Sequence, residues 1–511
     1  MSVSRNKRIA KNTLLLYFRQ LLILFVSLYT VRVVLDVLGI ENYGLFSVVA
    51  GLIALSGFLS GSLASATQRF FSYALGKKDK DALKKTFTTN ILLYVMISIV
   101  AVIVLETAGL WFVNNQLEVP QQRIDEVRTL YQYSIIGFVA SIFTSPFIAI
   151  LIAHEDMRIY AYTSIVDVCV KLGVVFLLEY LPGDKLPLYG LLLACVACAN
   201  AIVYILICLY KYEECQIKEF HWDSKLIKEI LGFTSWTVFG QFTSVIRTHA
   251  VTVLLNQSFN PIVVASRTIA INVASRINLF SSNFNTGLYP PIVKSYAAGN
   301  IQDMFSLVSN GSKITFFLLW LFALPMIVEM DYILGIWLAE VPDHAVLFTQ
   351  LALIESIIMS LSLPLTTAAR ATGKMRLYEV SLGSIQIGLF LTAWLVLTYG
   401  APAYSVFLVA ISANVLMFVV RLYIVERITG LSMRRYLITV LVPVAGIVLT
   451  TLLPVVTLSY FWPGDFLFVI ALFICSMCLS IASMYYIGLD KNHRSMALNL
   501  VKKKLSLGTM T

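Results

Sequence analysis

Apolar residues run along this chain in blocks of about twenty, parted by short polar stretches, and a block of that length carries a helix across about 30 Å of hydrocarbon. Six such blocks fall near 13–35, 44–66, 87–112, 130–153, 159–181 and 188–210. Six more fall near 230–255, 262–286, 313–330, 346–370, 378–399 and 404–425, and two follow near 436–456 and 465–487. The pattern predicts an all-α polytopic membrane protein with 14 transmembrane helices. Its longest connections, 67–86, 211–229 and 287–312, are too short to hold a soluble catalytic domain. The stretch 69–85 reads as a basic helix at the membrane surface. The first apolar block is span-length with no small-residue cleavage site behind it, so no cleavable signal peptide is expected.

The blocks repeat. Pro146, Ala153, Met157, Arg158 and Tyr160 recur with the same spacing as Pro364, Ala371, Met375, Arg376 and Tyr378. Phe18-x-Gln20 matches Phe239-x-Gln241, Ser72-Tyr73-Ala74-x-Gly76 matches Ser295-Tyr296-Ala297-x-Gly299, and Gly109-x-Trp111 matches Gly335-x-Trp337. Four pairs in one order, offset by about 220 positions, indicate a duplicated unit. The expected organisation is a first six-helix bundle (1–210), a cytoplasmic linker (211–230), a second six-helix bundle (231–425), accessory helices 13 and 14 (426–490) and a basic tail (491–511). Six spans per copy is an even number, so the copies enter the membrane in the same sense. They are expected to be parallel repeats about an axis along the membrane normal, enclosing a site that opens to one side at a time.

Composition agrees with a lipid solvent: 59% of residues are apolar, 13% charged, and the mean hydropathy is +0.82. Positive charge then orients the chain, because basic connections stay on the cytoplasmic side. Arg5, Lys7, Arg8 and Lys11 precede the first span; Arg69, Lys77, Lys78, Lys80, Lys84 and Lys85 fill the second connection; Lys211, Lys218, Lys225 and Lys228 fill the sixth. The connections around 36–43, 256–261, 331–345, 400–403 and 457–464 contain no Lys or Arg. Both termini are therefore expected in the cytoplasm. The net charge of +10 is accounted for by a basic face beside anionic lipid, with no nucleic-acid partner.

Within the spans, polar residues form faces that hydrocarbon does not tolerate. The 262–286 span sets Ile262, Ile269, Val273, Ile277, Phe280 and Phe284 on one side and Thr268, Asn272, Ser275, Arg276, Ser282 and Asn283 on the other. Span 230–255 carries Thr234, Thr237, Gln241, Ser244, Thr248 and Thr252 with Arg247 beside them. Span 13–35 repeats this weakly through Thr13, Tyr17, Gln20 and Ser27. Gln20 and Gln241 are matched positions of the duplication, and they read either as cavity-lining amides or as interhelical hydrogen bonds.

Buried charge is mostly basic: Arg19, Arg32, Lys171, Arg247, Arg267 and Arg276 against Asp167 and Glu355. Arg19, Arg32 and Arg267 lie near span ends and read as side chains able to snorkel. Lys171 and Arg276 fall near mid-membrane, where an unpaired charge costs at least ~2.5–3.5 kcal/mol. Asp167, four residues before Lys171, is its candidate partner; no local carboxylate is evident for Arg247 or Arg276. Gln20, Lys171, Gln241, Arg247, Asn272 and Arg276 are thus the candidate substrate path. Asp167 and Glu355 are candidates for H+ or Na+ coupling, or else a partner for Lys171 and an interhelical hydrogen bond.

Chemistry of other kinds is not signalled. Cys195-x-x-Cys198 and Cys475-x-x-Cys478 sit in apolar spans without His or acidic companions and read as packed small hydrophobes. Gly57-x3-Gly61 reads as a close helix contact. The nucleotide-binding Gly-Lys-Ser/Thr loop is missing, and no catalytic residues, metal ligands or organic cofactor are expected.

Two six-span halves, two extra spans, Leu38-Gly39-x3-Tyr43-Gly44 and Leu334-Gly335-Ile336-Trp337-Leu338-x2-Val341-Pro342 together resemble the bacterial polysaccharide flippases. These are the Wzx-like O-antigen and repeat-unit translocases of the multidrug/oligosaccharidyl-lipid/polysaccharide (MOP) superfamily, and the resemblance covers roughly 5–490. It implies a pair of six-helix bundles in the bacterial inner membrane. The implied cargo is an undecaprenyl-pyrophosphate-linked oligosaccharide moved from the cytoplasmic to the periplasmic leaflet, with membrane lipids and the polysaccharide polymerase machinery as candidate partners. Such a protein is not an enzyme. Arginine suits the cargo, since its charge is persistent and its fork of donors matches phosphate oxygens. Three readings compete: a lipid II flippase, a cation-coupled multidrug exporter of the same superfamily, and an integral-membrane polysaccharide polymerase or ligase.

Overall fold

A computed structural model describes residues 2–54, 57–115, 123–216, 223–259, 261–338, 340–461, 466–489 and 494. Helices make up nearly all of it, and there is no strand among the described residues. In chain order the helices are α1 (Ser2–Ala54, turning at Gly39), α2 (Gly57–Lys77), α3 (Lys80–Asn115), α4 (Ile124–Ala153), α5 (Met157–Tyr180), α6 (Lys185–Lys211) and α7 (Ser224–Ser258). Then come α8 (Pro261–Ala297), α9 (Ile301–Val328), the short α10 (Met330–Trp337), α11 (Ala345–Thr372), α12 (Met375–Thr398), α13 (Ser405–Thr429), α14 (Met433–Phe461) and α15 (Phe466–Gly488).

Among the described residues, twelve helical stretches are long and apolar enough to cross a membrane, two fewer than the fourteen spans expected. The two that fall short are 44–66 and 262–286. The first is divided between the short apolar stretch Asn42–Ile53 and the polar α2. The second lies in α8, which has 37 residues but carries the polar face read from its sequence. Hydropathy alone undercounts a helix that is polar on one side, because averaging erases the face. The expected surface helix over 69–85 is not a separate element. Its residues end α2 and begin α3, where Asp79 caps the new helix by accepting from the Ala82 N–H at 2.9 Å.

The chain forms two compact units, one comprising 1–242 with 289–301 and the other 243–288 with 302–511. In the first, α4 packs along α6, with Gly137 admitting the backbone of Ala194 and Gly190 admitting Leu130. The second repeats the relation: α11 packs along α13, where the Phe348 and Phe407 rings meet at 4.9 Å. Helices α14 and α15 belong to the second unit, where the Trp320 indole donates to Thr451 Oγ1 at 3.0 Å. Large apolar side chains such as Phe18, Leu206, Leu449 and Ile474 remain exposed, as expected where lipid is the solvent. Cys195, Cys475 and Cys478 are also exposed, which corrects their reading as packed residues.

The duplicated Pro-to-Tyr motif has the same local form in both units. Pro146 and Pro364 lie inside α4 and α11, while buried Met157 and Met375 open the 24-residue helices α5 and α12. The intervening turn needs one left-handed residue. In the second unit it is Gly373 (φ 77°), and in the first it is Glu155 (φ 65°). A non-glycine there costs roughly 1–2 kcal/mol, and contacts made by this turn offset it. Glu155 accepts from Lys294 Nζ at 2.8 Å, His154 Nε2 lies 2.6 Å from Glu214 Oε1, and Asp156 meets Lys211 at 3.0 Å and the Tyr212 hydroxyl. Burial pushes the Glu214 carboxyl up, but the hydrogen bond to His154, a backbone hydrogen bond and the nearby charges of His154 and Lys80 together hold it below its ordinary value.

Gly76 makes the tightest of the backbone approaches in this region. A Cβ there would sit 2.8 Å from Lys294 Cα, Lys294 O and Ala297 Cβ. Gly76→Leu is expected to destabilise the first unit by about 1–3 kcal/mol, seen as a lower unfolding temperature of the purified protein in detergent.

Candidate functional site

The second unit contains a cavity of about 160 Å³, with charged and apolar side chains in its lining, among α7, α8, α11, α12 and α13. Each wall follows from helical spacing. Arg247, Thr248 and Val251 come from α7; Arg267, Ile271, Ala274, Ser275 and Asn278 form one stripe of α8. Helix α11 adds Glu355 and Ser356, and α13 adds Phe407.

The charges are organised around Glu355. Arg247 Nη1 lies 3.3 Å from Glu355 Oε1, and Asn414 Nδ2 donates to the same oxygen at 2.9 Å. Arg267 Nε donates to Thr252 Oγ1 at 3.3 Å, and its guanidinium stands 5.5 Å from the Phe407 ring centre. Asn278 Nδ2 donates to Ser356 Oγ at 2.9 Å. Two guanidiniums share the cavity with one carboxylate, so it keeps an excess positive charge. Arg247 Nε is buried without a protein hydrogen-bond partner among the described residues.

The candidates read from the sequence fall into three groups. Arg247 and Glu355, 108 positions apart, meet in this cavity, which supplies the carboxylate that the sequence did not reveal for Arg247. Asn272 and Arg276 occupy the exposed stripe of α8 with Thr268 and Ser275, bordering the cavity wall. No side-chain hydrogen bond or ion pair engages Arg276 among the described residues. The third group belongs to the first unit. Gln20 lies half-buried on α1; Gln241 lies on α7 beside α2, its Oε1 3.7 Å from where a Cβ on Gly61 would be. Lys171 Nζ meets Asp167 Oδ2 at 2.7 Å within α5, with the lysine half-buried.

Arg267 and Asn414 are the site residues that sequence reasoning missed. Arg267, six positions into α8, read as a side chain able to snorkel, yet it is 8% exposed and turned into the cavity. Arg19 is buried as well, its guanidinium 4.5 Å from the Tyr160 ring centre. Asn414 carried no signal, because a lone amide in an apolar span is ordinary until a carboxylate is found opposite. Among the described residues no cluster of His, Cys, Asp or Glu has the makings of a metal site.

An all-helical, multi-pass fold with a cationic cavity in one of two similar units defines a membrane transporter. Solved structures with the same fold include MATE in complex with MaD3S, with a TM-score of 0.70 at 14% identity over 83% of this chain and 97% of that one. A multidrug resistance MATE family transporter of the MOP superfamily, in an outward-facing conformation, gives 0.70 at 13% identity over 84% and 97%. A MOP superfamily transporter from Pyrococcus furiosus, described as having a binding pocket of reversed polarity, gives 0.64 at 14% over 83% and 96%. No curated protein matches the chain. Residues 9–296 match the profile of the polysaccharide biosynthesis protein family, and the chain belongs to that family, within the MOP superfamily of flippases and transporters.

Proposed function

We propose that the protein flips an undecaprenyl-pyrophosphate-linked polysaccharide repeat unit from the cytoplasmic to the periplasmic leaflet of the bacterial inner membrane by alternating access. The observation that carries this reading is the excess of guanidinium over carboxylate in the second unit: Arg247 and Arg267 against Glu355, with exposed Arg276 beside them. A pyrophosphate does not cross hydrocarbon unaided, whereas arginine forks bind its oxygens and the neighbouring Ser, Thr and Asn side chains replace water around sugar hydroxyls. The family supports a saccharide-bearing cargo, and the fold supports transport. A multidrug exporter for cations fits less well, since the cavity carboxylate is already engaged by Arg247 and Asn414. Lipid II has the same anionic chemistry, and the assay below separates it by substrate.

Glu355 is the acid placed to couple transport to H+ or Na+, because neutralising it would free Arg247 for the cargo. Asp167 is the weaker choice, being held by Lys171. The protein is read as a transporter and not an enzyme. In proteoliposomes it is expected to move a fluorescent undecaprenyl-pyrophosphate oligosaccharide between leaflets without changing its covalent structure; equal movement of lipid II would leave the cargo unspecific, and movement of neither would end the proposal.

The proposed orientation places both termini in the cytoplasm. Arg158 and Arg376 are exposed in the first turns of α5 and α12, where they would lie at the cytoplasmic interface beside anionic lipid. Cysteines placed at 158 and 376 are expected to react with an impermeant maleimide only after the inner membrane is opened. Labelling of either from the periplasm would invert the topology.

A further inference from the structure

The end of α11, the first turn of α12 and the last turns of α13 surround a buried carboxylate that the proposed cargo cavity does not use. Glu379 stands one turn into α12 and is 7% exposed. Its carboxylate makes no hydrogen bond or ion pair among the described residues; the charges that act on it from the helices packed against α12 are Arg370 of α11 and Arg421 of α13. Neither guanidinium is bonded to it. Arg421 Nε donates to the Tyr378 hydroxyl at 2.7 Å, and that hydroxyl lies 2.8 Å from Thr366 Oγ1. Arg370 Nε is buried without a hydrogen-bond partner among the described residues. Lys374 and Arg376, at the start of the same helix, are exposed.

The local form of this turn does not require these charges. The matching turn of the first unit, which carries Pro146, Met157 and Tyr160, has Ala161 where the second has Glu379 and Ile152 where the second has Arg370. Both are buried apolar residues. An ionised carboxylate shut away from water without a bond is far costlier than an apolar side chain in the same place. Two charge states escape that cost. With a proton the carboxyl is neutral and can stand apart from both guanidiniums; without one it must draw a guanidinium in, and Arg370, whose Nε has no other partner, is placed to turn toward it. A site able to satisfy both states is what reversible proton binding needs. The way out is short, since about 6 Å of helix separates Glu379 from the start of α12.

We infer that Glu379 is a proton-binding acid separate from Glu355, protonated in the arrangement described here and paired with Arg370 once the proton leaves. On release the carboxyl O–H bond breaks, its electron pair stays on the carboxylate, the proton passes to water at the α11–α12 turn, and both arginines keep their charge. Proton binding here is independent of the cargo. Only its use in transport rests on the reading of the chain as an ion-coupled flippase.

The test is infrared difference spectroscopy of the full-length protein in lipid, recorded between alkaline and acid pH. Wild type is expected to gain a protonated-carboxyl band that Glu379→Gln loses, while that variant, close in shape to the protonated acid, keeps its abundance. Arg370→Gln is expected to move the pH at which the band appears upward by about one unit, because it withdraws a positive charge that favours the carboxylate. Arg427→Gln, at an exposed position of α13, is expected to leave it in place. The inference is overturned if Glu379→Gln leaves the spectrum unchanged, or if Arg370→Gln and Arg427→Gln move the band equally, which would mean diffuse charge. If Glu379→Gln fails to fold, the contrast between the two arginine variants decides. A Glu379-dependent band in protein that moves no lipid-linked cargo would end the flippase reading and leave the proton site standing.

Discussion

Arg276→Ala is expected to reach wild-type abundance in the membrane yet lose most glycan export, by tenfold or more. The side chain is exposed on the polar stripe of α8 and engages no protein group among the described residues, so removing it breaks no ion pair and leaves no buried acid uncompensated. What it removes is a charge-assisted contact to the cargo, worth about 1.5–3 kcal/mol. Arg276→Lys is expected to keep part of the export through charge alone, since lysine lacks the planar fork that matches phosphate. Surface polysaccharide and membrane abundance, measured together in cells lacking the native gene, check it. Full export from the alanine variant would leave the anionic-cargo reading to Arg247 and Arg267.

Arg247→Ala is expected to behave differently, because Arg247 does have a partner. Its loss would leave the largely buried Glu355 with only the Asn414 amide holding the same oxygen. Removing one member of such a pair costs about 3–5 kcal/mol, so the folded amount is expected to fall sharply, and transport with it. The double variant Arg247→Ala/Glu355→Gln is expected to recover abundance without recovering transport. That split separates a structural pair from a working one: recovery of both would make the pair purely structural. Wild-type abundance of Arg247→Ala alone would mean that the pair adds little to stability. Glu355→Gln by itself keeps the Asn414 contact and is expected to fold, and a flattened dependence of transport on the proton gradient would mark Glu355 as the coupling acid.

The fold class and the helix-forming blocks were legible in the sequence, because each depends on periodicity or length along one chain. Twenty apolar residues specify a span whatever surrounds them, and the Pro146 and Pro364 motifs announced equivalent turns before any contact was known. The polar face of α8 was legible for the same reason, since helical spacing alone sorts Asn272 and Arg276 from Ile277 and Phe284. Pairing was legible only where both partners lie within a turn of each other, as Asp167 and Lys171 do.

Tertiary structure decided the rest. It brought Glu355 to Arg247 across 108 positions, set Asn414 against the same oxygen, and turned Arg267 inward although its place near a helix start allowed it to snorkel. Among the described residues it also left Arg276 without a partner while giving Arg247 one, a distinction that two arginines in neighbouring polar spans do not announce. The physical reason is that charge and hydrogen bonding act through a few ångströms of space, while sequence orders residues only along the chain; helix packing alone converts one distance into the other.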